Sequence, residues 1–327
     1  MPAFRSFAAQ TRHYFERPQQ GQPAGPVAGP AIWRGVELRE NPRQWRFELT
    51  AEHCAELISA IAGVRARQLP MSEVARSDFA LPQLASEIQN WRQRIEYGPG
   101  FVVVTRLPVE QLSEQDLALA FWGIGHHLGT PGAQNPDQEL LGHVRDYHEA
   151  DSTVRLYRTA SNINFHCDAA DVVGLLCLQK ARTGGQSRIV SSGFLYNECL
   201  ARAPGAAAQL FTPFKLDGRG ESRNGRGYSE IVPCCFADGQ LRTFFHSEYF
   251  RSVERLDGVT LDEAQRQLLD VYDSVAADPT NYLDMDLRPG DMQFLSNHTI
   301  VHARTAYQDD PENPRHLLRL WLSLSED

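Results

Sequence analysis

No run in this sequence approaches the roughly 18 unbroken apolar residues that a membrane-spanning helix needs, and the N-terminus (MPAFRSFAAQTRHYFERPQQ) carries no apolar signal core. No membrane partner is expected, and the cytoplasm is the expected compartment. Positive charge is short as well: 32 Lys and Arg against 41 Asp and Glu leave a net charge of -9. Nucleic acid is disfavoured as a partner, because such binding rests on clustered cations. Cysteine is sparse and unpatterned. The six thiols, Cys54, Cys167, Cys177, Cys199, Cys234 and Cys235, form no CxxC pair and are read as reduced core residues rather than disulfides or a zinc site. A GxGxxG or GxxxxGK[ST] loop after a strand is missing too, and helices and strands do not alternate at βαβ spacing, so a dinucleotide or P-loop fold has little support.

What remains is an ordinary globular composition, 42% apolar and 22% charged over 327 residues, enough for one large domain. Residues 17 to 31 (RPQQGQPAGPVAGPA) are rich in Pro, Gly and Gln, so residues 1 to 31 are expected to be a flexible arm and 32 to 327 a single domain. Apolar residues at intervals of three and four predict a helix over 83 to 97, where Leu84, Ile88, Trp91 and Ile95 form a stripe that Gly98 ends. Thr260 and Glu263 have capping-box spacing ahead of a helix over 260 to 276. Further helices are expected at 50 to 62, 113 to 125 and 192 to 203. Short β-rich runs lie at 101 to 105, 172 to 178, 241 to 246, 292 to 295 and 317 to 324, and Pro289-Gly290-Asp291 is a turn of the kind that joins antiparallel strands. The pattern predicts an α+β, mainly β chain: a double-sheet jelly roll flanked by helices.

Chemistry concentrates in the second half. In Asn164-Phe165-His166-Cys167-Asp168, strand geometry would put His166 and Asp168 on one face and turn Cys167 away. A distant His302 would complete two imidazoles and a carboxylate, the set that leaves coordination positions open on iron(II). By itself the pair is weak, for His246-Ser247-Glu248 has the same spacing. The residues downstream of the first pair separate the two: an apolar strand, the glycine turn Thr183-Gly184-Gly185-Gln186-Ser187 with its hydroxyl, then His302, then Arg315 and Arg319. On one strand Arg315, Leu317, Arg319 and Trp321 share a face. Two guanidinium groups in an apolar pocket call for anions: either internal acidic partners, or a dicarboxylate co-substrate at Arg315 with an acid group of substrate or co-substrate at Arg319.

The order His-x-Asp, Gly-Gly-x-Ser, Asn-x-x-x-x-His-x-Arg (Asn297 to Arg304) and Arg-His-Leu-Leu-Arg-Leu-Trp-Leu resembles the taurine dioxygenase and clavaminate synthase superfamily of iron(II)- and 2-oxoglutarate-dependent oxygenases over roughly residues 100 to 325. The resemblance implies a double-stranded β-helix (jelly-roll, cupin-like) core there with a helical N-terminal part. It implies that His166, Asp168 and His302 bind Fe(II), that Ser187 and Arg315 hold the C5 carboxylate of 2-oxoglutarate, and that Arg319 meets the substrate or the co-substrate. Dioxygen would be consumed, with succinate and carbon dioxide released. Because a halogenase of this type has a small residue where Asp168 stands, hydroxylation, desaturation or oxidative cyclisation is implied. Asn162 falls where some members place a substrate contact. Arg158, Asp171 and Arg319 lie near the motifs and would read the charges of a small carboxylic or amino acid, or else form structural ion pairs. The turn at Gly184 arrives sooner than in taurine dioxygenase, implying a shorter lid. The Gly-rich stretch 217 to 230 reads either as a mobile active-site lid or as a solvated surface loop. The rival readings are a non-oxidative metal enzyme on a cupin-like barrel and a silent binding relative. The sequence leaves a homo-oligomer open.

Overall fold

Alternating side chains in the strands fix how this chain folds, and a computed structural model, which describes residues 4–148, 156–219 and 226–324, shows the result as two stacked sheets. The larger sheet runs Arg46–Glu48, Phe101–Thr105, Met292–Ser296, Val172–Gln179 and His316–Ser323, with Thr130–Gly132 and Gly142–Val144 end to end along the last. Its pairings are antiparallel except for the parallel first pair. The smaller sheet runs Leu283–Met285, Ser187–Ser191, Ile300–Arg304 and Ile163–His166, all antiparallel. This is the jelly-roll core that the sequence predicts.

The period of two sorts residues into layers. From His316–Ser323, Leu318, Leu320 and Leu322 pack outward on Trp91, Phe121 and Trp122 of helices Leu84–Tyr97 and Glu114–Leu128. Leu317 and Trp321 face inward with Phe101, Val173, Ile189 and Ile300 of the two sheets. Behind the smaller sheet, Val190 and Val301 pack on Leu195, Leu268 and Tyr272 of helices Ser192–Arg202 and Glu263–Ala276. All five expected helices appear, as Ala51–Ala66, Leu84–Tyr97, Glu114–Leu128, Ser192–Arg202 and Glu263–Ala276; the last begins at Glu263 because Asp262, not Thr260, caps it, with Gln265 completing the box. Pro289-Gly290-Asp291 does not form a hairpin. It carries the chain from Leu283–Met285 in the smaller sheet to Met292–Ser296 in the larger one. Gly290 adopts φ 88°, and a Cβ there would lie 2.4 Å from the Leu107 carbonyl oxygen.

The N-terminal segment is not a free arm. Residues Phe7–Phe15 form a helix capped by Ser6, with Gln10 and Tyr14 fully buried. The Tyr14 hydroxyl donates to the carbonyls of Thr243 and Asn297, both at 3.1 Å, and its ring stacks on His298. Gln10 accepts from the Ser323 hydroxyl at 2.6 Å, and His13 reaches Asp171 at 2.8 Å. Tyr14→Ala is therefore expected to cost about 3–5 kcal/mol, the usual penalty for emptying a buried aromatic site. Urea denaturation checks this; a loss under ~0.5 kcal/mol would mean the helix is dispensable. Among the described residues no helix is long and apolar enough to cross a membrane.

Candidate active site

A cavity of about 900 Å³ opens between the sheets, and its wall includes His166, Asp168, Ser187, His302, Arg304, Arg315 and Arg319. Strand pairing explains how distant residues meet. Ile163–His166 and Ile300–Arg304 are antiparallel neighbours in which His166 and His302 are directly opposite. Their ring centroids lie 4.2 Å apart. Asp168 follows just beyond the strand end, while Cys167 turns into the core beneath Thr243 and Ile300. One donor atom from each of His166, Asp168 and His302 lies within 4.8 Å of the others.

The protonation states suit a cation. His166 Nδ1 donates to the Asn164 carbonyl at 2.9 Å, which leaves the Nε2 lone pair free. Burial, reinforced by the neighbouring His166 ring, pushes His302 down to about 3, so it is neutral. Burial alone would raise Asp168, but Arg319, His302 and His166 outweigh it and bring the carboxyl down to about 2. His302 Nε2 is 3.7 Å from Asp168 Oδ2, too long for a hydrogen bond. Three metal-binding groups facing one another in a partly buried site are best satisfied by a cation between them, and two imidazoles with one carboxylate fit iron(II).

The surroundings orient this set. Trp321 Nε1 donates to Asp168 Oδ2 at 3.2 Å, and the Asp168 backbone N–H donates to Asn297 Oδ1 at 3.0 Å. Arg319 NH1 stands 3.7 Å from Asp168 Oδ1, with its Nε held on Gln134 at 2.6 Å. Arg315 is 5% exposed, makes no ion pair among the described residues, and has a buried NH1 without an acceptor there. Desolvation lowers its pKa, so an anion in the cavity would restore what burial removes. The glycine turn makes room for it: Gly184 and Gly185 adopt φ 76° and 73°, and a Cβ on Gly185 would lie 3.0 Å from Arg315 Nε. Ser187 also faces the cavity, donating to Gln293 at 3.0 Å.

Other expected residues are placed elsewhere. Asp171 is buried, but its carboxylate accepts from His13, His298 and the Leu324 N–H, so it buttresses the loop after Asp168 and does not line the cavity. Arg158 stacks on Tyr147 with 4.0 Å to the ring centroid, and Asn162 is exposed and bonded to Asn164; neither lines the cavity. Residues 220 to 225 of the expected lid lie outside the described residues; on either side, Phe214–Asp217 and Tyr228–Ile231 pair as an antiparallel ladder. His246-Ser247-Glu248 splits up: Glu248 takes Arg219, whereas His246 bridges backbone to His166 and enters the same cavity, with a ring distance of 5.1 Å. Sequence reasoning missed His246, Arg17 and Arg304 as wall residues, whereas Arg219 falls within the stretch 217 to 230 read as a possible lid. Only Arg304, two after His302 on its strand, carried a period-two signal for it.

A second group, Glu114, His143 and His316, lies off the cavity. His143 Nδ1 and His316 Nε2 are 2.8 Å apart, while Glu114 approaches the other His316 nitrogen at 3.9 Å. The two imidazoles are joined by a hydrogen bond, and Glu114 is too far to hydrogen-bond and lies on the other nitrogen of His316, so the three do not converge on a shared coordination point.

The model of the family described as "Taurine catabolism dioxygenase TauD, TfdA family" matches residues 65–321. The chain is similar to the FR-33289 synthase of Streptomyces rubellomurinus (strain ATCC 31215), 29% identical over 309 residues that cover 91% of each chain. A uridine-5'-phosphate dioxygenase from a Streptomyces species is 26% identical over 239 residues, covering 67% of this chain and 84% of that one. Among solved structures, asparagine oxygenase in complex with Fe(II), 2S,3S-3-hydroxyasparagine and succinate aligns with a TM-score of 0.67 at 16% identity, covering 85% of this chain and 93% of that one.

Proposed function

Because the chain belongs to the taurine catabolism dioxygenase TauD, TfdA family, and is thus an iron(II)- and 2-oxoglutarate-dependent dioxygenase, we propose that His166, Asp168 and His302 hold its metal and that the cavity oxidises a small carboxylic or amino acid. The observation that carries the site assignment is the meeting, in one cavity, of that donor cluster with Arg315, a buried guanidinium lacking an ion-pair partner among the described residues.

Bound iron(II) with 2-oxoglutarate and dioxygen supplies oxidative decarboxylation to succinate and carbon dioxide coupled to oxidation of a substrate C–H bond. This chain's residues do the positioning. Arg315 receives the C5 carboxylate of 2-oxoglutarate, and the Ser187 hydroxyl turns from Gln293 to donate to it. Trp321 and Arg319 keep the Asp168 carboxylate ionised and aimed, and Gln134 fixes Arg319 so that its remaining nitrogen faces the bound acid. Val173, Leu175, Leu317 and Phe244 form apolar wall that keeps water from the reacting carbon. Asp168 occupies the position that a halide would need, which favours hydroxylation, desaturation or cyclisation.

A small acid as substrate is supported by the cation excess of the wall, where Arg17, Arg219, Arg304, Arg315 and Arg319 outnumber Asp168, Asp217 and Glu230. The relative named for uridine-5'-phosphate points to an anion, and asparagine oxygenase holds a hydroxylated amino acid. A cytoplasmic location belongs to the same proposal, in keeping with six free cysteines. A panel of amino, carboxylic, sulfonic and phosphonic acids, scored for succinate release in air, tests the substrate class. At least one acid is expected to raise release about tenfold or more above the substrate-free rate; a flat panel from loaded enzyme would sink the small-acid reading.

A further inference from the structure

After the helix Phe7–Phe15 the chain runs across the mouth of the Cys234–Ala237 and Gln240–Thr243 hairpin. Four hydrogen bonds tack it there: Gln20 N–H to the Phe236 carbonyl at 2.8 Å, Phe236 N–H to Gln19 Oε1 at 2.9 Å, Asp238 N–H to Gln20 Oε1 at 3.0 Å and Gln20 Nε2 to Asp238 Oδ1 at 3.0 Å. This strap is part of the cavity wall, contributing Phe15, Arg17 and Gln19. Arg17 NH2 donates to the Val232 carbonyl at 3.1 Å, but Nε and NH1 are hidden from water and lack an acceptor among the described residues. The guanidinium rests 5.5 Å from the Tyr14 ring centre and 5.8 Å from that of Phe15, an apolar setting in which an unmatched cation is costly.

The acids of the wall are committed elsewhere. Asp168 belongs to the donor cluster, and Asp217 is taken by Arg255 at 2.8 Å through both oxygens, by the Ser252 hydroxyl and by the Arg219 N–H. Glu230 is exposed. Arg219, the other arginine on this side, is already neutralised by Glu248 at 3.0 Å. Arg315 stands on a different wall, against Gly185 and Tyr307, and is spoken for by the co-substrate. Arg304 also lacks an acidic partner among the described residues, but it belongs to the Arg315 wall, over the same Tyr307 ring, with its NH2 on the Thr159 carbonyl at 2.8 Å. Away from that wall, Arg17 is thus the cation of the cavity with neither a protein counter-ion among the described residues nor an assigned ligand.

We propose that Arg17, presented by the N-terminal strap, anchors an oxyanionic group of the substrate, a carboxylate, sulfonate or phosphonate, separately from the carboxylate that Arg315 holds. The inference rests on the reading of this cavity as the active site. It makes the strap a specificity element: the substrate is an acid whose anionic end lies under residues 15 to 19 while its oxidisable carbon faces the His166–Asp168–His302 cluster.

Anaerobic calorimetry on the full chain, loaded with iron(II) and saturated with 2-oxoglutarate so that Arg315 is occupied, tests it with butyrate, propane-1-sulfonate and propylphosphonate as probes. At least one probe is expected to bind the wild type, and the one that binds best identifies the anion. In Arg17→Gln, which can still donate to Val232, and in Arg17→Met, which keeps the stem on Tyr14 and Phe15, that affinity is expected to fall at least tenfold with 2-oxoglutarate affinity unchanged within twofold. Wild-type probe affinity in either folded variant, an equal loss of 2-oxoglutarate affinity, or no probe binding to the wild type would overturn the proposal. A wild type that fails to take up 2-oxoglutarate at all would instead overturn the active-site reading beneath it.

Discussion

Asp168→Ala is expected to cut substrate-dependent succinate release by at least about 100-fold while the far-UV circular dichroism spectrum stays that of the wild type. The size comes from position: losing a group that merely supports a metal ligand costs roughly 10–100-fold, so losing the carboxylate itself should cost no less. Asp168 is the one carboxylate in the donor cluster, brought down to about 2 by Arg319, His302 and His166 against the opposing effect of burial, and it therefore carries negative charge across the working pH range. The fold is expected to survive because what ties this loop down is backbone and neighbour chemistry. The Asp168 N–H remains on Asn297, Asn297 Nδ2 still reaches the Ala170 carbonyl at 2.9 Å, and Asp171 still holds His13 and His298. Undiminished turnover would remove Asp168 from the ligand set.

The second large effect belongs to Arg315. Arg315→Gln is expected to raise the 2-oxoglutarate concentration needed for half-maximal rate roughly 30- to 5000-fold, since truncating one member of a buried charge pair typically costs ~2–5 kcal/mol. The substrate requirement should move far less. Arg315→Lys should recover part of the loss, because an ammonium restores charge without the two-pronged match to a carboxylate. An unchanged 2-oxoglutarate requirement in Arg315→Gln would shift the anchor to Arg319, whose NH2 is also buried without an acceptor among the described residues.

Local periodicity made the fold readable, and it failed where tertiary contacts decide. The alternation in His316–Ser323 assigns Leu318, Leu320 and Leu322 outward and Arg319 and Trp321 inward without any coordinates. The donor cluster was legible because His166 and Asp168 are two apart and because the order of motifs selected His302. The helix Phe7–Phe15 was not: its buried face includes Gln10, a polar residue that only Ser323, far away in sequence, makes comfortable. Compositional bias in 17 to 31 then masked a segment that is bonded to the hairpin rather than loose. Nearness in sequence misled for Arg158 and Asn162, which meet Tyr147 and Asn164, and for Asp171, since three residues beyond Asp168 the chain has already turned away and Asp171 faces His13 and His298. Arg17 and His246 could not be placed in the cavity from sequence because no local pattern connects them to its other walls.

One cavity is proposed to hold iron(II) through His166, Asp168 and His302 and 2-oxoglutarate through Arg315. Anaerobic addition of iron(II) and 2-oxoglutarate to the purified chain tests it most directly, by the weak visible charge-transfer band of the chelate. The expected band saturates at one equivalent of iron, is lost in Asp168→Ala, and needs far more 2-oxoglutarate in Arg315→Gln. No band in the wild type, or an undiminished band in Asp168→Ala, would contradict it.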